Sequence, residues 1–348
     1  MAEAFHIEYV NLRRGGNVAE IREFLRRFGL DFDGDVSFTV ALRDDDGRLV
    51  GTGSSKGEVL RNIAVDESIQ GAGLTAAILS NLMQEMARKG ILHYFIFTRP
   101  AKAFLFAGLG FNVIARAEPF AALLESGLGS VASYCEAVAG ETAHLPAGRA
   151  ALVINANPFT MGHRALIEKA AAERPGVIVF VVSEDLSVFP YADRLRLIRE
   201  GVADLPNVAV AEGGKYIISA ATFPTYFTRE QEHVQAQTRL DADLFARQIA
   251  PRLGITDRYV GEEPYCPVTA AYNEAMREIL PPAGITVHTV PRVAVDGEIV
   301  SASKVRDLIR AGDWTRLEKL VPPVTIRYLR SKEARGILET IRTTDSRH

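Results

Sequence analysis

The sequence has almost no cysteine: Cys135 and Cys266 are the only two among 348 residues. Two thiols far apart exclude a disulfide framework and a cysteine-rich metal cluster, and they suggest a reducing compartment, the cytoplasm. Charge of one sign is also lacking. Forty Lys and Arg stand against 43 Asp and Glu, a net charge of −3, so nucleic acid is not an expected partner. There is no apolar run long enough to cross a membrane. Near the N-terminus Glu3, His6, Glu8, Arg13 and Arg14 interrupt the apolar residues, so no signal peptide is expected. Tryptophan occurs once, at Trp314, and is expected to pack the last helices. His6, His93, His144, His233 and His288 have no motif around them. What remains is an ordinary globular balance, 47% apolar and 24% charged, in a chain long enough for two domains.

The first domain is expected over residues 1–145. Phe5 to Val10 reads as a short strand, and Asn17 as the cap of a helix carrying Val18, Ile21, Phe24, Leu25 and Phe28 at helical spacing. Val36 to Leu42 and Leu49 to Thr52 flank the turn Asp44-Asp45-Asp46-Gly47 as a hairpin. Val59 to Val65 is a further strand. It leads through Gln70-Gly71-Ala72-Gly73 into a long helix, Leu74 to Lys89, closed by Gly90. Tyr94 to Thr98, a short helix Ala101 to Ala107 and a strand to Ala115 complete the order. Ile63-Ala64-Val65, Gln70-Gly71-Ala72-Gly73 and Phe104-Leu105-Phe106-Ala107-Gly108-Leu109-Gly110-Phe111 resemble the GNAT acetyltransferases. The resemblance implies an α+β fold whose Gly-rich loop, through Gln70, Gly71 and Gly73, cradles the pyrophosphate of a CoA-type ligand at a helix N-terminus. Thr75 stands where that loop pattern has Gly or Ala. No acetyl-transfer acid or base stands out. Residues 116–149, rich in Ala, Gly and Ser, read as weakly structured linker with room for one more strand, and the boundary is placed near Pro146.

The second domain, residues 146–348, opens on the stretch that dominates the chain. Ala151 to Ala156 is an apolar run readable as a buried parallel strand. Asn157-Pro158-Phe159-Thr160-Met161-Gly162-His163 is a sharp turn, and Arg164 to Glu173 is helical. A strand, a tight turn and a helix N-terminus form an anion site, because unpaired N–H groups point outward there. Gly162 lets a phosphate approach the backbone, and His163 can donate a ring N–H to it. Strands at Val177–Val182, Val208–Ala211, Tyr259–Gly261 and Ile285–Val290 then alternate with helices at Ala192–Asp204, Leu240–Leu253 and Ala270–Leu280. Such alternation predicts a Rossmann-like parallel sheet with ligands at the strands' carboxyl ends. Late in the chain, Ser301 or Ser303 can cap a helix running to Arg310. Lys304 and Arg306 then lie near an N-terminus that would ordinarily favour acids, which makes sense where a phosphate chain sits. Glu262-Glu263-Pro264 could meet adenosine or magnesium, and Lys215, Tyr216 and Ser219 could meet acetate or pantetheine. Arg194 and Arg196 read as surface charges.

Thr160-x-Gly162-His163 paired with Ser301-x-Ser303-x-x-Arg306 resembles the nucleotidylyltransferase (HIGH) superfamily, although Thr160 stands where many members have a first histidine. Asn155 to His163, Tyr216 to Pro224, Gly261 to Pro264 and Ser301 to Arg306, with a GNAT-like domain in front, resemble the citrate lyase ligases. The resemblance implies an acid–thiol ligase. It would acetylate the thiol of a CoA-like prosthetic group on the citrate lyase acyl carrier subunit, using ATP and acetate through an acetyl-adenylate. His163, Lys304 and Arg306 would be catalytic. Asn157, Pro158, Phe159, Thr160, Gly162, Glu263, Ser301 and Ser303 would bind the nucleotide. Magnesium would ride on the phosphates, keeping most of its waters and needing no carboxylate cage. Two alternatives stay open: a nucleotidylyltransferase of the phosphopantetheine adenylyltransferase type, and a non-catalytic nucleotide and acyl-CoA sensor.

Overall fold

The computed structural model describes residues 5–32, 34–69, 73–184, 187–217, 223, 232–262 and 267–343. Its contacts divide the chain into a unit of Met1–Ser130 with Pro224–Ala236 and a unit of Val131–Phe223 with Gln237–His348.

The first unit is a seven-stranded sheet in the order β1-β2-β3-β4-β5-β7-β6. The strands are β1 (His6–Tyr9), β2 (Phe38–Arg43), β3 (Leu49–Lys56), β4 (Val59–Val65), β5 (His93–Thr98), β6 (Asn112–Ala117) and β7 (Ala121–Gly127). All neighbours are antiparallel except β4 and β5. These two are parallel and meet only at Val59 opposite Phe95 and Leu60 opposite Ile96. Beyond that point β4 keeps its ladder to β3 but has none to β5, so the sheet opens into a wedge at the carboxyl ends of both strands. Helix α1 (Gly15–Arg26) covers one face with Ile21, Phe24 and Leu25. It starts two residues before Asn17, which does not cap it; the Asn17 side chain instead donates to the Asn11 carbonyl. On the other face α2 (Leu74–Arg88) buries Leu74, Ile78, Leu79, Leu82 and Met86. β3 makes room for it with glycine: a Cβ at Gly53 would lie 2.6 Å from Ile78 Cγ2. Helix α3 (Ala103–Ala107) follows β5.

The segment read as linker holds the one further strand it had room for and, beyond it, a helix. β7 lies within it, between β5 and β6, because Ala121-Ala122-Leu123-Leu124 is a fully buried apolar run. Helix α4 (Val131–Glu141) follows and buries Val131, Cys135 and Val138 in the second unit, so the contact boundary falls at Ser130–Val131 rather than near Pro146. The Ala-rich composition that suggested a loop is also what a helix favours.

The second unit is a five-stranded, all-parallel sheet in the order β10-β9-β8-β11-β12. Its strands are β8 (Arg149–Ile154), β9 (Gly176–Val181), β10 (Val208–Glu212), β11 (Ile255–Gly261) and β12 (Thr286–Val290). The first strand in sequence lies in the middle, so the order reverses between β8 and β11, and the ligand crevice belongs at their carboxyl ends. Helices α5 (Met161–Glu173) and α6 (Tyr191–Gly201) share one core with alternate residues of β8 and β9. After β10 come α7 (His233–Leu244), a π-helical turn (Phe245–Ile249), α8 (Ala250–Leu253) and α9 (Pro267–Ile279). The π turn is where Pro251, lacking an N–H and crowding the preceding turn, would otherwise break the helix. A short hairpin of β13 (Ala294–Val295) and β14 (Glu298–Ile299) precedes α10 (Ala302–Ala311). Three helices not foreseen individually, α11 (Trp314–Leu320), α12 (Pro323–Leu329) and α13 (Arg335–Thr343), close the α5–α6 core with Leu317, Leu320, Val324, Tyr328, Leu338 and Ile341.

One contact ties this core to the turn after β8. Phe159 is fully buried, and a Cβ on Gly201 would lie 2.5 Å from its Cε1 atom. Gly201→Ala should therefore destabilise the protein by about 1–3 kcal/mol, the cost of overpacking a close-packed site. Urea unfolding measures this; an unchanged midpoint would show that Phe159 has room to move.

Candidate active site

The turn between β8 and α5 is held from below by one buried arginine. Arg194 is inaccessible to solvent, on the face of α6 that also presents Leu197, Ile198 and Gly201. Its Nη1 donates to the carbonyls of Asn155 (2.9 Å) and Val182 (2.8 Å) and to Asn155 Oδ1 (2.7 Å). Its Nε donates to the Phe189 carbonyl (3.0 Å), and its Nη2 to the Glu184 carbonyl. Asn155 and Val182 are the first residues beyond β8 and β9, so this side chain fixes the carboxyl ends of two neighbouring strands. Arg194 is thus not a surface charge. The signal was present: residues 194, 197, 198 and 201 recur at helical spacing on the buried face.

Above this, the chain turns through Ala156, at φ 54°, and the cis peptide Asn157–Pro158. Asn157 is buried, and its Oδ1 accepts from the Phe189 N–H at 3.1 Å. The Phe159 carbonyl accepts from the Thr325 hydroxyl at 3.0 Å. Thr160 then caps α5 in a capping box whose distal partner is a histidine. The Thr160 hydroxyl accepts from the His163 N–H (3.4 Å), and the Thr160 N–H donates to His163 Nδ1 (3.1 Å). The hydroxyl also lies 2.9 Å from Nδ1. A main-chain N–H can only donate, so Nδ1 carries the lone pair and the neutral ring carries its proton on Nε2. Thr160 is therefore buried and engaged with the histidine rather than turned towards a phosphate.

His163 is half-buried, and burial together with the positive charge of Arg292 lowers its pKa to about 4. At neutral pH it is an uncharged donor. Arg292, which follows β12 and had no sequence signal, donates from Nε to the Glu262 carbonyl at 2.8 Å.

The second motif meets the first. A Cβ on Gly162 would sit 3.3 Å from the Val300 carbonyl, so glycine is what lets the segment before α10 approach the start of α5. Ser301 caps α10 by accepting from the Lys304 N–H (3.2 Å), and the Ser303 hydroxyl lies 3.0 Å from that of Ser301. Two capped helix N-termini thus stand side by side. The N–H groups of Met161, Gly162, Ala302 and Ser303, in the first turns, have no partner among the described residues. Arg306 is buried, 5% exposed, and Nη1 donates to the Asn157 carbonyl at 2.5 Å, bridging α10 to the β8 turn. Lys304 is half-exposed, 3.6 Å from Glu298 of the hairpin.

His163, Gly162, Thr160, Asn157, Pro158, Phe159, Ser301, Ser303, Lys304 and Arg306 are thus brought to one end of the sheet. Tyr216 is buried against Tyr134, ring centroids 5.2 Å apart. Gly73 opens α2 in the left-handed region, at φ 72°. Glu263, Pro264, Ser219, Gln70 and Gly71 lie outside the described residues. Among the described residues no three His, Cys, Asp or Glu side chains cluster to hold a metal, and no helix is long and apolar enough to cross a membrane.

Residues 149–329 match the family model of the citrate lyase ligase C-terminal domain. The chain is 40% identical over 316 residues to a citrate (pro-3S)-lyase ligase of Klebsiella pneumoniae, covering 89% of this chain and 91% of that protein. It is 36% identical over 331 residues to the Escherichia coli K12 protein of the same name, covering 93% and 94%. Among solved structures, the ribosomal-protein-S18-alanine N-acetyltransferase of Escherichia coli aligns with 36% of this chain and 96% of its own, at 18% identity and a TM-score of 0.31.

The histidine geometry has a spectroscopic consequence. At pH 7 a long-range proton–nitrogen spectrum should show His163 protonated at Nε2 and bare at Nδ1; the opposite tautomer would refute the capping assignment. Because the folded-state pKa of about 4 lies below the ordinary 6.5, the unfolded chain binds this proton first. Stability from this group is complete above pH 6.5 and is lost as pH falls towards 4, a slope that His163→Asn should flatten.

Proposed function

Because the chain belongs to the citrate (pro-3S)-lyase ligase family, we propose that the two adjoining helix N-termini of its second unit hold ATP and that acetyl transfer runs through an acetyl-adenylate. The chain is an acid–thiol ligase that acts on the acyl carrier subunit of citrate lyase, acetylating its prosthetic-group thiol. In the proposed first step an acetate oxygen bonds to the α-phosphorus, and the bond to the bridging oxygen of pyrophosphate breaks. In the second step the carrier thiol loses its proton and attacks the acetyl carbon, and AMP leaves. The observation that carries this reading is the four unpartnered main-chain N–H groups of Met161, Gly162, Ala302 and Ser303 beside the His163 ring.

Displacement at phosphorus asks for positioning and for stabilisation of charge on oxygens. His163 supplies one fixed donor, Nε2–H, to an α-phosphate oxygen. The helix N-termini supply the N–H groups and the positive ends of two dipoles. Lys304, free to leave Glu298, meets the β- and γ-phosphates, and Arg292 adds a second cation near His163. Arg306 contributes by holding the Asn157 carbonyl and with it the turn. Magnesium carried on the triphosphate would neutralise charge developing on its oxygens. In the first unit, the wedge between β4 and β5 and the start of α2 at Gly73 suit a CoA-like arm: the ladder between the two strands ends at Leu60 and Ile96, and the helix N-terminus suits a pyrophosphate.

Acetate-dependent ATP–pyrophosphate exchange tests the reading. His163→Ala should fold normally and lose about 10²–10³-fold in exchange, the cost of one donor to the transition state. Near-wild-type exchange would remove His163 from the mechanism. The two basic residues should separate. Lys304→Ala should weaken ATP and spare AMP, which lacks the outer phosphates. Arg306→Ala should weaken both, because it releases the turn at Asn157; equal effects of the two variants would refute that division.

A further inference from the structure

The first unit carries an exposed apolar surface that its own fold does not use. The segment from Arg99 to Gly110 turns Phe104 (67% exposed), Leu105 (45%) and Leu109 (38%) to solvent, with Ala101 before them and Ala107 and Gly108 between them. Phe106 within this segment and Phe111 just after it are buried, so the fold had apolar positions here and filled only the inner ones. Contiguous exposed aromatic and aliphatic side chains mark interaction sites rather than ordinary surface. Arg99 and Lys102 flank the patch, both exposed and neither in an ion pair among the described residues. From Thr98 to Ala117 the sequence has no acidic residue.

The place in the fold says what this surface meets. α3 begins where β5 ends, and β4 and β5 are parallel, so α3 and the N-terminus of α2 stand on the same edge of the sheet, beside the mouth of the wedge. A CoA-like arm entering there is anionic through its phosphates, and the arm is anchored on a protein. We infer that Phe104, Leu105 and Leu109, with Arg99 and Lys102, form the docking surface for the acyl carrier subunit where its arm is attached. The apolar side chains meet the carrier's own surface, and the two cations meet the phosphate end of the arm. This rests on the ligase reading above and adds to it the residues that recognise the protein part of the substrate.

The test uses the full-length enzyme, the holo carrier subunit, and free CoA as a thiol acceptor without a protein. In Phe104→Ser/Leu105→Ser the KM for the carrier should rise about tenfold or more, on the scale of losing an interface anchor. The kcat, acetylation of CoA and acetate-dependent exchange should stay within about twofold. Lys102→Glu, which disturbs no packing, should raise the same KM and do so more at low salt. An unchanged carrier KM in both variants overturns the proposal. So does an equal loss with carrier and CoA in Phe104→Ser/Leu105→Ser, which would make α3 part of the arm's own site. Absence of acetate-dependent exchange in the unaltered enzyme would sink the ligase reading itself, and is seen separately.

Discussion

The second unit depends on a charge that never reaches solvent. Arg194 gathers the carbonyls of Asn155, Val182, Glu184 and Phe189, so the ends of β8 and β9 and the loop after β9 are set by one planar group. A guanidinium suits this task because its donors spread in a fixed fork, and several carbonyls can be held at once. Removing it would leave the buried Phe189 carbonyl without this donor, a cost on the order of 1–3 kcal/mol. Every group proposed to touch nucleotide in the turn after β8 hangs from this arrangement, through Asn157, Phe159 and the cap at Thr160.

The histidine belongs to the same logic. In an ordinary capping box a glutamate or glutamine reaches back to the cap residue. Here an imidazole does so, and the local structure of the helix start decides which nitrogen keeps the proton. Fold and chemistry are joined in one pair of hydrogen bonds, so the ring needs no separate carboxylate to orient it.

Much of this was legible in the chain. The apolar runs and their alternation with helices gave both sheets, and Val59–Val65 has the expected bounds. The pairing of the turn at Gly162 with the serines before α10 was visible as two motifs, though not why they touch. That reason, a Val300 carbonyl against a bare glycine, exists only in three dimensions. The 116–149 segment holds the one further strand it had room for, β7, but α4 was missed because alanine serves loops and helices alike. Arg194 was misread because residue type was allowed to outweigh position in the helical period. Arg292 left no trace, since one arginine after a strand has no pattern to belong to.

The contact of Gly162 with Val300 brings the positive ends of two helices together. Like partial charges held side by side repel, so the ligand-free protein is less stable than the same fold with those ends apart. A polyanion bound at the proposed site would remove that repulsion and add cohesion to the fold. A variant selected only for heat resistance would therefore drift towards acidic residues in these two turns, growing tougher at the expense of anion binding there.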